Sequence, residues 1–480
     1  MKSWQNQNVT VMGLGHHDGG MAVLKYLCQQ GAHVTLTELK PRSEFQDSLS
    51  ELESLGLAGI HFGGHAEEHF LNADCVIISP AVPPRNRWRT FCSAQNIPVG
   101  SEIELFWNAF PGKTVCVTGT VGKSTIVTVL HRMLYEAGFD ALLGGNIGRS
   151  LLSDLDSCGP ETIAVLEISS FQAWQLASHK PRPDVTIISN LSPNHLDWHE
   201  DFEHYTNAKL ELIQHQTDGQ FLISDLQEEA LNNLKTDAER LFLTHQPISQ
   251  SLPVASHLLW EENASEQIVW NHGDSRTSKL ISLPAELQSL SRSQRQDYGL
   301  ALCASFVLDV PVETGFEVLV NFEGLPHRCE KVESSLEFQF INDSKSTTIA
   351  ASLSAVERFS HSPLTVLIGG LNKGVDLMPL FEQASRQAQW VIIYGDCVNS
   401  LSSGSLPQSE QCQFLLCEAL PEAVDLACEK SEPGATILLS PACSSFDQFQ
   451  SFEHRGEVFR ELVRAKTGPE TIQSTSRTMP

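Results

Sequence analysis

The sequence predicts an α/β protein of three domains, each built on a parallel sheet. Short runs of β-branched residues alternate with helical stretches almost from end to end, as in parallel strands joined by crossover helices. The chain has 480 residues, of which 41% are hydrophobic, so it is too long for one ordinary core and apolar enough for two or three. Changes in composition divide it, and we expect domains at residues 1–110, 111–323 and 324–480.

The first domain is expected to be Rossmann-like. Its first strand, Asn8 to Met12, runs into the glycine turn Gly13-Leu14-Gly15, and further strands are predicted at His33 to Thr37 and Cys75 to Ile78. Pro111-Gly112 marks its end. A single GxG turn is weak support for a nicotinamide-dependent dehydrogenase, and that alternative stays open on these residues alone.

Composition bears on the partners and the compartment of the protein. The formal net charge of -26 repels polyphosphate chains and anionic lipid, so we expect neither a nucleic acid nor a membrane as a partner. The twelve cysteines are scattered singly, which indicates reduced core residues rather than disulfides or zinc ligands. The segment Met1 to Val9 lacks the features of a secretory signal, and no apolar run approaches the roughly 20 residues that cross a bilayer. We therefore expect a cytoplasmic protein.

A strand, a glycine loop and a helix follow one another at the start of the second domain. The strand Thr114 to Val117 runs into Thr118-Gly119-Thr120-Val121-Gly122-Lys123-Ser124-Thr125, and a helical pattern from Ile126 to Ala137 follows. Such a loop turns backbone N–H groups and the helix N-terminus toward phosphates, while Lys123 neutralises oxygens and Ser124 can ligate magnesium. The GxxGKS spacing is two residues shorter than that of general P-loop NTPases. We predict a central P-loop-type domain that binds ATP and Mg²⁺.

Two strand ends supply further candidate metal ligands. The strand Ile163 to Leu166 delivers Glu167, and the strand Val185 to Ile188 precedes His195. The carboxyl ends of neighbouring parallel strands lie at one edge of a sheet, so these side chains are expected near the phosphate loop. Polar neighbours on the second segment are Asn190, Asn194 and Asp197.

The third domain carries four predicted strands, and the region before it is less informative. The strands are predicted at Glu337 to Ile341, Leu364 to Ile368, Trp390 to Tyr394 and Ala435 to Leu439. The polar stretch from about 218 to 284 shows no clear pattern. From Thr467 onward the composition indicates a disordered tail.

Taken together, these motifs resemble those of the Mur ligase family, most closely its glutamate-adding branch, and the likeness covers all three domains. In the first two domains it rests on Ser79-Pro80-Ala81-Val82-Pro83-Pro84, the phosphate loop, Gly144-Gly145-Asn146-Ile147-Gly148, Glu167-Ile168-Ser169-Ser170-Phe171-Gln172, Asn194-His195-Leu196-Asp197 and Ala208-Lys209-Leu210. In the third it rests on Leu325-Pro326-His327-Arg328, Asn342-Asp343-Ser344-Lys345-Ser346-Thr347, Gly369-Gly370-x-x-Lys373-Gly374 and the run from Leu439 to Phe449.

The resemblance implies a role for each matching residue. Catalysis would fall to Lys123, Glu167, His195 and Lys209. ATP would be bound by Gly119, Thr120, Gly122, Lys123, Ser124, Thr125, Arg328 and Asp343. Magnesium would be held by Ser124, Glu167, His195 and Lys209, the last as a carbamate formed with carbon dioxide. The UDP-linked substrate would contact Gly15, Glu38, Lys40, Ser79, Asn146 and Gln172. The amino acid would contact Lys345, Thr347, Lys373, Ser445, Phe446 and Phe452.

The activity that the resemblance implies is ATP-dependent addition of glutamate, with D-glutamate expected, to UDP-N-acetylmuramoyl-L-alanine through an acyl phosphate. A sibling ligase that adds another amino acid such as L-glutamate, and a catalytically silent Mur-like binding protein, are the alternatives. The second is motivated by departures from the family pattern at Val121 and Asn372, at His17-Asp18 and in the stretch Arg295 to Gly299. The charged residues expected to bind phosphate and metal are all retained, which favours an enzyme. The family resemblance also implies a monomer.

Overall fold

The computed structural model confirms an α/β architecture with three sheets. It describes residues 3–14, 19–196, 198–228, 231, 234, 236–246, 256–261, 267–271, 279–372, 374–401 and 406–467. The chain divides into two compact units, Met1–Phe322 and Glu323–Pro480, and the first of these holds two of the sheets. No helix in the described ranges is long and apolar enough to cross a membrane.

The N-terminal domain is a five-stranded parallel sheet in the order β3-β2-β1-β4-β5. Its strands are β1 (Asn8–Met12), β2 (His33–Thr37), β3 (Gly59–His61), β4 (Cys75–Ile78) and β5 (Val99–Gly100). Its helices are α1 (Gly19–Gln29), α2 (Gln46–Ser54), α3 (Arg87–Ala94) and α4 (Glu102–Ala109). Every residue of β4 is buried, because a central parallel strand is covered on both faces.

The central domain is a nine-stranded sheet in the order β14-β13-β12-β11-β10-β9-β6-β8-β7. Its strands are β6 (Lys113–Thr118), β7 (Ala141–Gly145), β8 (Ile163–Glu167), β9 (Val185–Ile188), β10 (Phe221–Asp225), β11 (Glu239–Thr244), β12 (Ser256–Leu259), β13 (Gln267–Asn271) and β14 (Lys279–Ser282). Its helices are α5 (Lys123–Glu136), α6 (Ser170–Leu176), α7 (Phe202–Leu210), α8 (Ala285–Gln288), α9 (Arg292–Val307) and α10 (Val312–Val320). Strands β6, β8 and β9 are parallel neighbours, so their carboxyl ends share one edge.

The stretch that looked uninformative in the sequence contains five strands of this sheet. β10, β11 and β12 continue the parallel order, whereas β13 and β14 pair antiparallel at the far edge. The two antiparallel strands are partly exposed and separated by segments outside the described residues. Such edge strands lack the continuous apolar run by which buried parallel strands are recognised in a sequence.

The C-terminal unit is a six-stranded sheet in the order β15-β16-β20-β17-β18-β19, parallel except for the β15–β16 pair. Its strands are β15 (Glu330–Val332), β16 (Gln339–Asn342), β17 (Leu364–Gly369), β18 (Trp390–Tyr394), β19 (Gln413–Cys417) and β20 (Thr436–Ala442). Its helices are α11 (Ile349–Phe359), α12 (Met378–Gln387), α13 (Leu420–Lys430) and α14 (Phe452–Thr467). The four predicted strands are present within a few residues, while β15 and β19 were missed. The predicted disordered tail lies, beyond Thr467, outside the described residues.

Candidate active site

The phosphate loop connects the buried end of β6 to the first turn of α5. Gly119 has φ +135°, and a Cβ atom on it would lie 2.0 Å from Ser189 Oγ. Gly122 has φ +95°, and a Cβ atom there would lie 2.3 Å from Asp297 Oδ1. A side chain at either position would be strained and would also clash. The loop therefore requires both glycines, and it leaves the N-terminus of α5 pointing into the site.

Lys123 and Asn190 hold the loop in this shape. The Lys123 ammonium donates to the carbonyl oxygens of Gly119 at 2.9 Å and Thr120 at 3.0 Å. From the end of β9, Asn190 accepts from the Val121 N–H at 3.0 Å and donates to the Val121 carbonyl at 2.9 Å. Val121 departs from the family pattern, but the loop keeps its shape because Asn190 binds main-chain atoms, which any residue at position 121 supplies.

Glu167 lies at the end of β8 beside the first turn of α5. The carboxylate is buried, with one oxygen accepting from the Ser124 hydroxyl at 2.6 Å and the other from the Asn146 amide at 2.9 Å. A hydroxyl and a carboxylate are the hard oxygen ligands that Mg²⁺ prefers, so this pair fits the ion. No group of three or more His, Cys, Asp or Glu side chains that could hold a metal is found among the described residues. That is compatible with magnesium, which commonly takes one or two carboxylates and completes its shell with phosphate and water.

Lys209 is the most deeply buried amine of the site. Its side chain is 1% exposed and donates to the Gly119 carbonyl at 2.9 Å and to Thr118 Oγ1 at 3.3 Å. Burial lowers its pKa well below the usual value, Lys123 lowers it further, and Glu167 opposes them. The neutral amine is therefore favoured far more than in an exposed lysine.

Tyr205 positions Lys209, and the sequence analysis did not single it out. The tyrosine is buried, the Lys209 amine lies 4.7 Å above its ring centre, and its hydroxyl is 3.0 Å from Thr120 Oγ1. Burial raises the pKa of Tyr205 to about 12. The two residues are four apart on α7 and hence share a face, so helical spacing could have identified Tyr205.

The structure brings Lys123, Ser124, Glu167 and Lys209 to one end of the sheet, whereas His195 stands on the adjoining loop. His195 is exposed, has φ +53°, and its ring centre lies 4.8 Å from that of Phe171, next to Ser170. The neighbouring His199 is the buried histidine of this loop, and its Nε2 is 2.9 Å from Ser170 Oγ.

A pocket of about 550 Å³ opens at the carboxyl end of the N-terminal sheet. The predicted contacts Glu38, Lys40 and Ser79 line it, and Glu38 accepts from the backbone N–H groups of Leu14 at 2.8 Å and Lys40 at 3.0 Å. Pocket-lining residues not predicted from the sequence include His65, Asn86, Arg87 and Trp88. Gly15 lies outside the described residues.

The other two predicted substrate contacts lie in the central domain and are engaged by neighbours. Asn146 donates to Glu167, as described above. Gln172 caps its own helix, accepting from the Ser169 N–H and hydroxyl, each at 3.0 Å. Asn146 is thus held by Glu167 at the end of β8, and Gln172 by Ser169 at the start of α6.

In the C-terminal unit, Asp343 is a buried acceptor between two strands. It accepts from the hydroxyls of Ser346 at 2.5 Å and Ser440 at 2.8 Å, and from the Cys329 N–H at 3.1 Å. Burial raises the pKa of Asp343, with these hydrogen bonds and then the nearby Arg328 opposing the effect.

The predicted amino-acid contacts of this unit lie on two loops and at the start of α14. The Lys345 ammonium lies 5.7 Å from the ring centre of Phe452, and Thr347 follows on the same loop, where its N–H donates to the Lys345 carbonyl. On the second loop Ser445 is buried, whereas Phe446 is 59% exposed. Lys373 lies outside the described residues.

Arg455, which the sequence analysis missed, holds these loops together. It is fully buried on α14 and donates to Ser344 Oγ at 2.9 Å, the Ser344 carbonyl at 2.8 Å and the Cys443 carbonyl at 3.1 Å. Ser344 precedes Lys345 and Cys443 lies two residues before Ser445. Because most of its partners are backbone atoms distant in sequence, no local pattern announces the role.

Comparison with known proteins shows matches along almost the whole chain. The model of the Mur ligase middle domain matches residues 117–267, and that of the MurD-like N-terminal domain of Mur ligases matches residues 7–101. The UDP-N-acetylmuramoylalanine–D-glutamate ligase of Trichlorobacter lovleyi is 32% identical over 96% of this chain and 99% of its own length. The enzyme of the same name from Koribacter versatilis is 31% identical over 96% of this chain and 98% of its own.

Solved structures share the fold at lower identity. The MurF ligase of Thermotoga maritima, in complex with ADP, is similar with a TM-score of 0.59 at 16% identity, covering 96% of both chains. The UDP-N-acetylmuramate–alanine ligase MurC of the same organism has a TM-score of 0.58 at 16% identity, covering 96% of this chain and all of its own.

Proposed function

The chain belongs to the Mur ligase family, and we propose that it adds D-glutamate to UDP-N-acetylmuramoyl-L-alanine at the expense of ATP, in peptidoglycan precursor synthesis. The observation that carries the proposal is the grouping of Lys123, Ser124, Glu167 and Lys209 around one phosphate loop. The relatives that match 96% of the chain carry this activity in their names. A nicotinamide-dependent dehydrogenase would not need these four residues at a phosphate loop, so the grouping disfavours that alternative.

The reaction must join two anionic substrates. A carboxylate is a poor electrophile, so one of its oxygens first attacks the γ-phosphorus of ATP, and ADP leaves. The amine of glutamate then attacks the carbonyl carbon of the acyl phosphate, inorganic phosphate departs and the amine loses a proton. In phosphoryl transfer of this kind the protein contributes mainly position and charge.

Residues of the phosphate loop supply both. The backbone N–H groups and the N-terminus of α5 bind phosphate oxygens, and Lys123 neutralises negative charge there. Without nucleotide, its ammonium is held by the carbonyls of Gly119 and Thr120. The Lys123 ammonium therefore already lies over the loop. When ATP binds, its phosphate oxygens would replace these two carbonyl oxygens, which are weaker acceptors.

We assign the magnesium ligands to Ser124, Glu167, His195 and Lys209, the last as a carbamate. Bound magnesium would neutralise phosphate charge and polarise the bond that breaks. Glu167 offers oxygen ligands once Ser124 and Asn146 share or release it. His195 is exposed on the loop that follows β9, and the family resemblance assigns it to this set.

Carbamylation of Lys209 is proposed on the geometry around its amine. The amine is buried with a loop carbonyl and a threonine hydroxyl as its partners and no carboxylate in hydrogen-bond contact, among the residues described. A cation at this depth is unfavourable beside Lys123. The neutral amine would attack the carbon of carbon dioxide, form an N–C bond and release a proton to solvent, which leaves an anionic oxygen ligand instead of a buried cation.

The N-terminal pocket is assigned to the UDP moiety. A glutamate at the end of the second strand of a Rossmann-like sheet is the usual partner of ribose hydroxyls. Glu38 has that position, and Lys40 and Ser79 line the same pocket. Gly15 joins this set by resemblance, and Asn146 and Gln172 are assigned to the muramoyl part.

The C-terminal unit is assigned the rest of the substrates. Arg328 and Asp343 are proposed to bind the nucleotide. Glutamate carries two carboxylates, which Lys345 and Lys373 match in charge. The remaining amino-acid contacts are assigned to Thr347, Ser445, Phe446 and Phe452. We further propose that the enzyme works as a monomer in the cytoplasm.

The decisive experiment measures phosphate release from ATP with UDP-N-acetylmuramoyl-L-alanine and a panel of D- and L-amino acids. We expect release with D-glutamate, absent when either acceptor is omitted. Release with L-glutamate alone would assign the chain to a sibling activity. No release with any amino acid, with ATP binding retained, would contradict the proposal.

A further inference from the structure

Three histidines form a cluster behind the N-terminal pocket. His61 and His69 stack with their ring centres 4.0 Å apart, and His65 lies between the pocket and Thr37. The Thr37 hydroxyl is 2.9 Å from His65 Nδ1 and 3.0 Å from His69 Nδ1. Of the three histidines, His65 is the one that lines the pocket.

The hydrogen bonds of His65 and His69 indicate which ring nitrogen of each carries the proton. The Ala66 backbone N–H lies 3.2 Å from His69 Nδ1, and because a backbone N–H only donates, this nitrogen is an acceptor. The Thr37 hydroxyl has a single proton, which goes to His69 Nδ1 at 3.0 Å or to the Gly64 carbonyl at 3.4 Å. Thr37 Oγ1 is left to accept, so His65 Nδ1 carries the proton. In its neutral form, His65 consequently has an unprotonated Nε2.

The ring of His65 is held rigidly in this orientation. It packs edge-on against Trp88, with ring centres 5.8 Å apart, and Trp88 itself lines the pocket. In the part of the chain that the structure describes, Nε2 of His65 has no hydrogen-bond partner. Burial lowers the pKa of His65, Glu38 opposes the effect and His69 adds to it, so the imidazole is neutral at physiological pH.

We propose that His65 is a positioning residue for the nucleoside of the substrate, whose Nε2 accepts a hydrogen bond from a ribose hydroxyl or from the uracil imide N–H. The proposal rests on the assignment of this pocket to UDP. With Glu38, it provides two acceptors on neighbouring walls. Two fixed acceptors favour a ligand with neutral donors and give nothing to a phosphate, so the pair selects the nucleoside end.

Protonation would reverse the role of Nε2 from acceptor to donor. As the pH falls through the lowered pKa of His65, the bond to a hydroxyl or imide N–H is lost and nucleotide affinity falls. The charged or titratable groups around it are Glu38 at the end of β2, His69 and Glu68 on the following turn, His61 on β3, and Lys40, Glu44 and Arg87 at the pocket. A variant that cannot titrate at position 65 separates His65 from all of these.

Calorimetric titration with UDP tests the proposal on the full-length chain. His65→Ala is expected to weaken binding about threefold to tenfold, as for loss of one neutral hydrogen bond. His65→Gln offers an amide oxygen and should restore most of the affinity. His61→Ala, from the same cluster but outside the pocket, is the matched control and should bind as the unmodified chain does. Equal affinity of all four proteins would overturn the proposal.

The pH arm compares the unmodified chain with His65→Gln between about pH 8 and about pH 5.5. We expect the unmodified chain to lose affinity progressively toward the acidic end, by no more than the factor that His65→Ala loses at the basic end, because protonation of His65 begins below its lowered pKa. His65→Gln should lose distinctly less. A parallel loss in both proteins would assign the effect to another group and contradict the role of His65.

Two analogues identify the donor. If the ribose 2′-hydroxyl is the partner, 2′-deoxy-UDP binds the unmodified chain and His65→Ala alike, whereas N3-methyl-UDP still shows the difference. If the imide N–H is the partner, N3-methyl-UDP binds the unmodified chain and His65→Ala alike, and 2′-deoxy-UDP still shows the difference. A difference that persists with both analogues would leave the 3′-hydroxyl, which 3′-deoxy-UDP tests, and persistence with all three would refute the contact.

Kinetics keep this inference separate from the proposed function. In the ligation assay, His65→Ala should raise the KM for the UDP-linked substrate and leave kcat within about twofold, since the nucleoside is remote from the reacting carboxylate. A folding defect would instead lower kcat or the fraction of active protein. If the unmodified chain binds no UDP, the assignment of the pocket fails. If it binds UDP and His65→Ala binds equally well, only the role of His65 fails.

Discussion

The central domain and the C-terminal unit each bury one long cationic side chain, and they use it in opposite ways. Lys209 is 1% exposed and makes two hydrogen bonds, to the Gly119 carbonyl and Thr118 Oγ1. Arg455 is 0% exposed and makes four, to Ser344 Oγ and the carbonyls of Ser344, Cys443 and Gly369. Among the described residues, the arginine joins segments that are distant in sequence, whereas both bonds of the lysine go to one segment, the end of β6 and the start of the phosphate loop.

The difference follows from the chemistry of the two side chains. A guanidinium presents five donors in a rigid fork, so it can join several loops at once. An ammonium is a compact charge whose pKa falls readily on burial, so it can become a neutral nucleophilic amine. We infer that Arg455 stabilises the two loops that carry the predicted amino-acid contacts. We infer that Lys209 instead takes part in the reaction.

The largest effect is expected from exchanging the kind of cation at position 209. Lys209→Arg keeps a long basic side chain but cannot form a carbamate, so ligation should fall by about a thousandfold or more. Phosphate release measures the loss. Lys113→Arg, at an exposed position, is the matched control and should be fully active. Substantial activity in Lys209→Arg would break the distinction between the two cations.

A small carboxylate sharpens this result. In Lys209→Ala the cavity should admit formate, whose oxygens take the place of the carbamate, so added formate should restore part of the activity. Chloride at equal ionic strength serves as the control. Equal rates with formate and chloride would count against an anionic oxygen ligand at this position.

Removing the guanidinium at position 455 should mainly lower the stability of the C-terminal unit. Arg455→Met leaves the Ser344 and Cys443 carbonyls buried without donors, and we expect the free energy of unfolding of the C-terminal unit to fall by about 3 kcal/mol. The stability of Arg455→Lys should lie between those of Arg455→Met and the unmodified chain. Urea denaturation followed by tryptophan fluorescence measures the change. An Arg455→Met protein as stable as the unmodified chain would show that the four bonds do not brace the loops.

A buried carboxylate in the N-terminal domain extends the comparison to the opposite charge, with a smaller effect. Burial raises the pKa of Glu104 to about 7, although Ser101 and Arg89 oppose the shift. The folded form therefore holds its proton more tightly than the unfolded form, and stability is lost as the pH rises from about 4.5 to about 7. Glu104→Gln should be about 2 kcal/mol more stable than the unmodified chain at alkaline pH and equally stable below the unfolded value. A pH-independent difference would contradict the assignment.

Much of the fold was readable because buried parallel strands are short, apolar and regularly spaced. Trp390–Tyr394 was predicted at its observed bounds, and the helix predicted from Ile126 is present but begins at Lys123. The stretch that carries β10 to β14 escaped detection, and for β13 and β14 the reason is that they are partly exposed and pair antiparallel. Sequence periodicity reports burial, and it is weakest where burial is incomplete.

The candidate site divides along the same line. Lys123, Ser124 and Glu167 could be placed together because loops at the ends of adjacent parallel strands must meet. The neighbours of Glu38 could not be foreseen, since His65 reaches the pocket from a turn after β3 and Trp88 from α3. Tyr205 is intermediate, because its spacing from Lys209 is visible in the sequence and its bond to Thr120 is not.

The sequence by itself determined the type of fold, the phosphate loop and the inventory of charged groups, because glycine spacing and strand periodicity are local properties. Tertiary structure alone decided which of those groups are buried and with what partners. It made Lys209 a buried amine with a lowered pKa, joined Arg455 to two loops and placed His65 in the lining of the N-terminal pocket. Burial and hydrogen bonding depend on atoms supplied by distant segments, and those become neighbours only when the chain has folded.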